Sequence, residues 1–261
     1  MKRKSETKKI RILGPMLILS LLILSGCASL GPETKYIQPS SREALSDLGI
    51  SSGNKELNVS LVYIIIPNGQ GAWVKGAKWD EYLLTFKNLS DKPLTVERIR
   101  LIDPRGLYID NGTNLEKLEK ESDVLAKEYK DMGMAYAPDI AVLGIGILGA
   151  TAGSVGLATA ATVLAPVAAI GGVVWYYNKK MAEQKDREAI ETEFERRQIT
   201  TFTLSENATV SGSAFFPIIP NPKALVVDYR VGNETKTLEV SLEKLTGLHI
   251  APAKKSEKKQ E

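Results

Sequence analysis

The sequence predicts an α+β protein: a β-sandwich of immunoglobulin-like type, interrupted by a helical insertion that carries an apolar Gly/Ala-rich hairpin. Three observations predict it. Short runs of alternating and β-branched residues, bounded by turn residues, occupy 55–110 and return over 199–250. The block between them, 113–198, begins with helical periodicity and ends in dense charge. Its middle, Ile140 to Asn178, holds no Asp, Glu, Lys or Arg.

From Leu57 to Ile66 the chain alternates and then becomes wholly apolar, as a strand entering a sandwich interior does. Glu81 to Asn88 and Leu94 to Asp103 read as two further strands, and the residues from Asn88 to Pro93 supply turn chemistry between them. Gly106 to Ile109 is a short fourth. Thr113 and Glu116 stand at capping-box spacing, where each side chain satisfies an orphan amide. Leu115, Leu118, Ser122, Leu125, Tyr129, Met132 and Tyr136 then recur at steps of three and four. They form one face of an amphipathic helix ending near Gly133 or Pro138, a stripe that reads as core packing.

Asn178 to Ile199 is helical in composition, with Met181, Ala189, Ile190 and Phe194 as its apolar anchors. Strand pattern resumes at Thr200–Leu204, Thr209–Phe216, Ala224–Val231 and Lys236–Leu242, with a turn at Gly232-Asn233. One sandwich built from both strand sets is preferred to two half-domains, because four strands alone leave an open face. Residues 251–261 are a solvated tail.

The N-terminal segment has a different logic. Lys2, Arg3, Lys4, Lys8, Lys9 and Arg11 precede an apolar run from Ile12 to Leu24, and small residues follow. This is the layout of an export signal over residues 1–26. Leu24-Ser-Gly-Cys27 resembles the lipobox of bacterial lipoproteins. The resemblance implies cleavage before Cys27, acylation of Cys27 with palmitate-type chains, and anchorage in a lipid bilayer. Ala28, rather than Asp, after the cysteine implies the outer membrane, with the protein facing the periplasm. Residues 27–54, rich in Gly, Pro and Ser, read as the lipidated N-terminus and flexible tether.

Removal of residues 1–26 leaves 28 of the 34 Lys and Arg and 30 of the 31 Asp and Glu, so a formal charge of +3 becomes −2. The basicity belongs to the signal, and no nucleic-acid partner is implied. Cys27 is the only cysteine and His249 the only histidine. An acylated Cys27 leaves no thiol for a disulfide, a metal or a nucleophile. No metal site, cofactor or catalytic residue is predicted. Asp80-Glu81 and Glu191-x-Glu193 read as solvated carboxylates, and His249 as a surface or packing residue. Phe215, Phe216 and Pro217 open an aromatic-proline loop that could offer a partner-docking edge, although completion of the core by the two rings is the stronger reading.

The uncharged stretch of 39 residues would measure about 58 Å as one helix, nearly twice a ~30 Å hydrocarbon core. Two arms of a hairpin fit where one straight span does not. If the flanking strands share one sandwich, the insertion crosses a bilayer an even number of times. Small residues recur at four-residue intervals, including Gly146, Ala150, Ser154 and Ala158, then Gly149 and Gly153, then Ala152 and Gly156. Such rows let helix backbones approach closely. The segment resembles the glycine-zipper two-helix segments of some bacterial outer-membrane lipoproteins. That resemblance implies membrane insertion or self-association through Gly144, Gly146, Gly149, Gly153, Gly156, Gly171 and Gly172. Trp175, Tyr176 and Tyr177, followed by Lys179 and Lys180, read as an interfacial belt. Gly144-x-Gly146-x-x-Gly149 also satisfies a dinucleotide-binding pattern, but residues 164–178 hold neither Asp nor Glu to receive a ribose.

The expected function is that of a non-enzymatic envelope lipoprotein, a membrane-anchored scaffold or assembly factor whose hairpin inserts in a membrane or forms a homo-oligomer or envelope complex. The alternatives are an accessory subunit of a secretion, transport or pore-like complex, and an enzyme acting on envelope lipid or cell wall.

Overall fold

The computed structural model describes residues 34–37, 47–143, 146–147 and 171–251. Among the described residues, twelve strands and two α-helices follow one another. They are β1 (Ile50–Gly53), β2 (Leu57–Ile65), β3 (Trp79–Asn88), β4 (Leu94–Ile102), β5 (Tyr108–Asp110), α1 (Leu115–Asp131), β6 (Tyr136–Leu143), β7 (Gly146–Ile147), α2 (Gly171–Arg197), β8 (Phe202–Leu204), β9 (Thr209–Pro217), β10 (Ala224–Val231), β11 (Glu234–Ser241) and β12 (Leu248–Ile250). The protein is α+β, and its sheets are predominantly antiparallel and sandwich-like.

The chain divides into two compact units, residues 1–34 with 165–185 and residues 35–164 with 186–261. In the first, the described part is Thr34 and the start of α2, where Lys179, Lys180 and Met181 are exposed and Lys179 pairs with Glu183 at 3.8 Å. The second contains the sheets.

One sheet runs β1-β2-β3-β9 and the other β11-β10-β4-β5, with β8 also on β4. The apolar positions that alternate along each strand meet between them. Leu57, Val59, Leu61, Tyr82, Leu84 and Phe86 come from the first sheet, and Leu94, Val96, Leu101, Leu225, Val227, Tyr229 and Val240 from the second. All thirteen have zero exposure, so each contributes about 1.5–3 kcal/mol of burial free energy. β5 and β8 lie on the same edge of β4: Arg100 to Ile102 pair with Asp110 to Tyr108, and Leu94 to Val96 pair with Leu204 to Phe202. Strands from before and after the insertion therefore share one sheet.

Helix α1 begins one residue later than the capping box suggests. Asn114 is the N-cap, its side chain accepting from the Lys117 amide at 2.9 Å. Leu115 and Leu118 join a second apolar cluster on the outer face of the first sheet, with Trp73, Trp79, Ile190, Phe194 and Phe215. Tyr129, about three turns beyond Leu118, is buried in the inner core. Of the anchors expected in α2, Ile190 and Phe194 are buried, whereas Met181 is 54% exposed.

Four expectations are corrected. The tether does not extend to residue 54: Leu48 and Ile50 are core residues, and Ile50 to Gly53 pair with Leu61 to Asn58. Alternation over only four residues had hidden this edge strand. The apolar hairpin does not start as a helix at residue 140, because β6 runs through Leu143 and pairs with β12 and β7. Pro138 stops helical propagation and lies in the irregular stretch between the rungs Tyr136–Ile250 and Ala141–Leu248. Phe215, Phe216 and Pro217 are not a partner loop. They lie in β9, paired along Trp79–Glu81, with both rings at zero exposure on opposite faces of the sheet. Finally, Asp80, Glu81 and Glu193 are buried, where solvated positions were expected, and His249, expected at the surface or in packing, is buried as well.

Cys27, Gly144, Gly149, Gly153 and Gly156 lie outside the described residues; Gly146 is in β7, and Gly171 and Gly172 open α2. Trp175, Tyr176 and Tyr177 are in α2, but their side chains lie outside the described ones. Among the described residues no helix is long and apolar enough to cross a membrane.

Candidate functional site

The chemistry concentrates where the insertion is rooted, and β3 supplies it from two successive residues. Because side chains alternate across a sheet, Asp80 and Glu81 point to opposite faces. Asp80 lies opposite Phe216 on the inner face, and Glu81 opposite Phe215 on the outer one. Asp80 meets His249 of β12, the strand paired with β6 on the entry side of the apolar segment, and Glu81 meets Arg197 at the exit of the insertion.

On the inner face, Asp80 Oδ2 lies 2.8 Å from His249 Nε2, and both side chains have zero exposure. His249 sits in β12 with φ of 56°, in the left-handed region that a non-glycine residue rarely adopts. Leu248 beside it is a core residue, and its carbonyl accepts from the Asn221 amide at 3.0 Å. β12 in turn pairs with β6. The Asp80–His249 contact thus ties the entry side of the apolar segment to the centre of the first sheet. Asp80 Oδ1, Tyr82 Oη and His249 Nδ1 are buried and have no hydrogen-bond partner among the described residues. Burial pushes the Asp80 carboxyl above its ordinary value, and His249 pulls against it. Burial also raises the Tyr82 phenol well above its usual range, and the negative charge of Asp80 adds to that.

On the outer face, Glu81 accepts from Trp73 Nε1 at 2.7 Å, from Arg197 Nη1 at 3.0 Å and from the Ser213 hydroxyl. Arg197 also donates to Glu193 one turn earlier in α2, and its guanidinium lies 5.1 Å from the centre of the Trp73 ring. Hydrogen bonds from Arg196 do most to lower the Glu193 carboxyl; burial opposes them, Arg197 adds to them, and the result is about 2. Phe194 packs on Phe215 with ring centroids 4.3 Å apart, beneath the same turn of helix. The exit side of the insertion is thereby clamped to the outer face.

The residues brought together are closed to solvent, so the arrangement binds protein to protein. A buried ion pair of this kind adds little net stability over apolar packing, but it specifies one seating of the helix. Among the described residues no group of three or more His, Cys, Asp and Glu side chains is placed to hold a metal ion.

Asp80, Glu81 and His249 are individually visible in the sequence, and their pairing is not. Arg197 and Trp73 escape the sequence reading altogether. The available signal was the i,i+4 spacing of Glu193 and Arg197 beside Ile190 and Phe194, which places charge next to an apolar stripe. No family model matches the chain, and neither a curated protein nor a solved structure matches it.

Proposed function

We propose that this chain is a non-enzymatic lipoprotein of the cell envelope, a membrane-anchored scaffold or assembly factor whose Gly/Ala-rich segment inserts in a bilayer or self-associates. The observation that carries the reading is the Leu24-Ser-Gly-Cys27 quartet behind a charged and apolar leader. The fold supports the second half of the proposal. Both flanks of the apolar segment, β6 and residues 186–197, are tied to neighbouring residues of β3, so the chain leaves and returns to one body. That favours zero or two crossings over one. Two anchoring signals hold a protein on a membrane where a single acyl chain does so weakly. We read the body as immunoglobulin-like, which accords with strands crossing between the two sheets at β3–β4 and β9–β10. The outer membrane, facing the periplasm, is the proposed location, on Ala28 after Cys27.

The test is metabolic labelling with a tagged fatty acid in a bacterial host, followed by mass analysis of the mature N-terminus. The wild-type chain incorporates label at Cys27 and sediments with membranes; Cys27→Ser incorporates none and keeps its signal peptide. A mature wild-type chain carrying no acyl group overturns the proposal.

A further inference from the structure

The second sheet ends in an unusual place. β5 pairs with β4 on one side only, and the rung pattern fixes which of its peptide groups are spent. The Asn111 amide donates to Ile99 and the Asp103 amide to Leu107, so hydrogen-bonded rungs fall on alternate residues centred at Ile109. In an antiparallel pair the intervening residues direct both N–H and C=O away from the neighbour. Those residues are Tyr108 and Asp110. Among the described residues, neither has a further backbone partner.

Alongside this edge runs a cavity of about 470 Å³, lined by Tyr108 to Asn114, by residues of α1 from Lys117 to Leu125, and by Pro217. Its deeper wall is apolar: Leu118 has zero exposure, and Ile109, Leu125 and Pro217 are buried or half-buried. Its rim carries apolar side chains as well, Tyr108 from β5 and Val124 from α1, at 56% and 57% exposure. The Arg100 guanidinium holds the Tyr108 ring from its face, 4.4 Å from the centroid. The rim lysines of α1 are already matched, Lys120 to Glu116 at 2.6 Å and Lys117 to Glu121 at 3.5 Å. The groove therefore presents no surplus of one charge.

We infer that this groove is a docking site for an extended peptide segment of a partner protein, which adds as a strand along β5 and places an apolar side chain against Leu125 and Val124. The free backbone groups identify the occupant. A lipid tail or a helix leaves them unanswered, whereas a strand ~4.8 Å away answers all four. The alternating side chains of such a segment point in turn to the α1 wall and to solvent, so specificity comes from every second residue. This inference does not depend on acylation of Cys27 or on the fate of the apolar segment.

The test uses the full chain in detergent micelles and a phage-displayed library of random nine-residue peptides. Enriched peptides are expected to carry apolar residues at alternate positions. They are then resynthesised with single backbone N-methyl groups. Methylation at every second residue is expected to weaken binding at least about tenfold, and methylation at the intervening residues to leave it unchanged. That period of two is the signature of strand pairing, and it leaves the folding of the protein untouched. On the protein side, Tyr108→Pro removes an outward amide that no rung of the sheet uses, and Val124→Glu charges the exposed helix wall; each is expected to lower affinity to a similar degree. Three outcomes overturn the proposal: no enrichment, binding indifferent to the methylation pattern, or a groove closed by a second copy of the chain, seen as concentration-dependent dimerisation that Tyr108→Pro abolishes.

Discussion

Arg197 Nη1 and Glu81 Oε1 lie 3.0 Å apart across 116 residues of sequence, with side-chain exposures of 4% and 1%. A charge so placed is expensive to strand. Arg197→Ala is expected to destabilise the protein by about 3–5 kcal/mol, since Glu81 then remains buried without its cation. Adding Glu81→Gln to that variant should recover part of the loss. Urea unfolding of the two variants checks this, and a double variant no more stable than the single one sinks the account.

Glu193 gives the acid side of the stability profile. Its folded carboxyl sits at about 2, below its ordinary 4.5. A depressed carboxyl contributes stability that is fully present above the unfolded value and lost as pH falls toward the folded one. Glu193→Gln should therefore flatten the decline between about pH 5 and 2 relative to wild type. Parallel wild-type and variant curves over that window would count against the Arg196 and Arg197 contacts.

Asp80 works in the opposite sense. Burial holds its folded carboxyl above the ordinary 3.8, so its contribution to stability is complete below that value and is lost as pH rises through the folded one. Asp80→Asn keeps the shape and sheds the charge. Its stability relative to wild type should climb as pH increases from about 4, read from chemical denaturation at a series of pH values. A difference that stays constant or falls with pH contradicts the assignment. The His249 contact should also make Asp80→Ala less stable than Asp80→Asn at low pH.

Phe215 and Phe216 are adjacent and fully buried, yet they serve different cores. Each change to Ala is expected to cost about 3–5 kcal/mol. The consequences differ in place. Phe215→Ala should speed amide exchange in α1 and in residues 186–197 first, because its ring packs on Phe194 and near Trp73. Phe216→Ala should instead loosen β3 around Tyr82, its edge-on neighbour at 5.3 Å. Identical exchange maps would mean that the two clusters unfold as one.

Much of the sheet was legible because strand signals are local. Leu57 to Ile65 and Ala224 to Val231 carry long β-branched runs, and Gly232-Asn233 fits the tight turn between β10 and β11, where Gly232 takes a φ of 60°. The helix stripe of α1 also survived from Leu115 to Tyr129, but the helix ends at Asp131: Met132 is 50% exposed beyond the last turn, and Tyr136 belongs to β6. The misreadings share one cause. β1 and β12 have four and three residues, too few to establish a period of two, and β12 pairs with the distant strand β6. β6 was read as apolar helix because Ile140 to Leu143 is uniformly apolar, a pattern that suits a buried strand and a helix equally. The site depended on pairings over 116 and 169 residues, which no local pattern encodes. Asp80 and Glu81 looked solvated because carboxylates usually are; burial became affordable only through Arg197, Trp73 and His249.

The shared edge of β4 has a mechanical corollary. Tension carried by any stretch of chain between Asn111 and Thr201 is delivered to rungs on either side of Glu97 to Ile99 in a single strand. Pulling apart the two ends of the excursion would load that strand along its length, against the row of bonds to β10, instead of unzipping the sheet from one corner. A tug from a bilayer or a neighbouring molecule would meet its stiffest resistance there, and the two-rung contact between β6 and β12 would yield first.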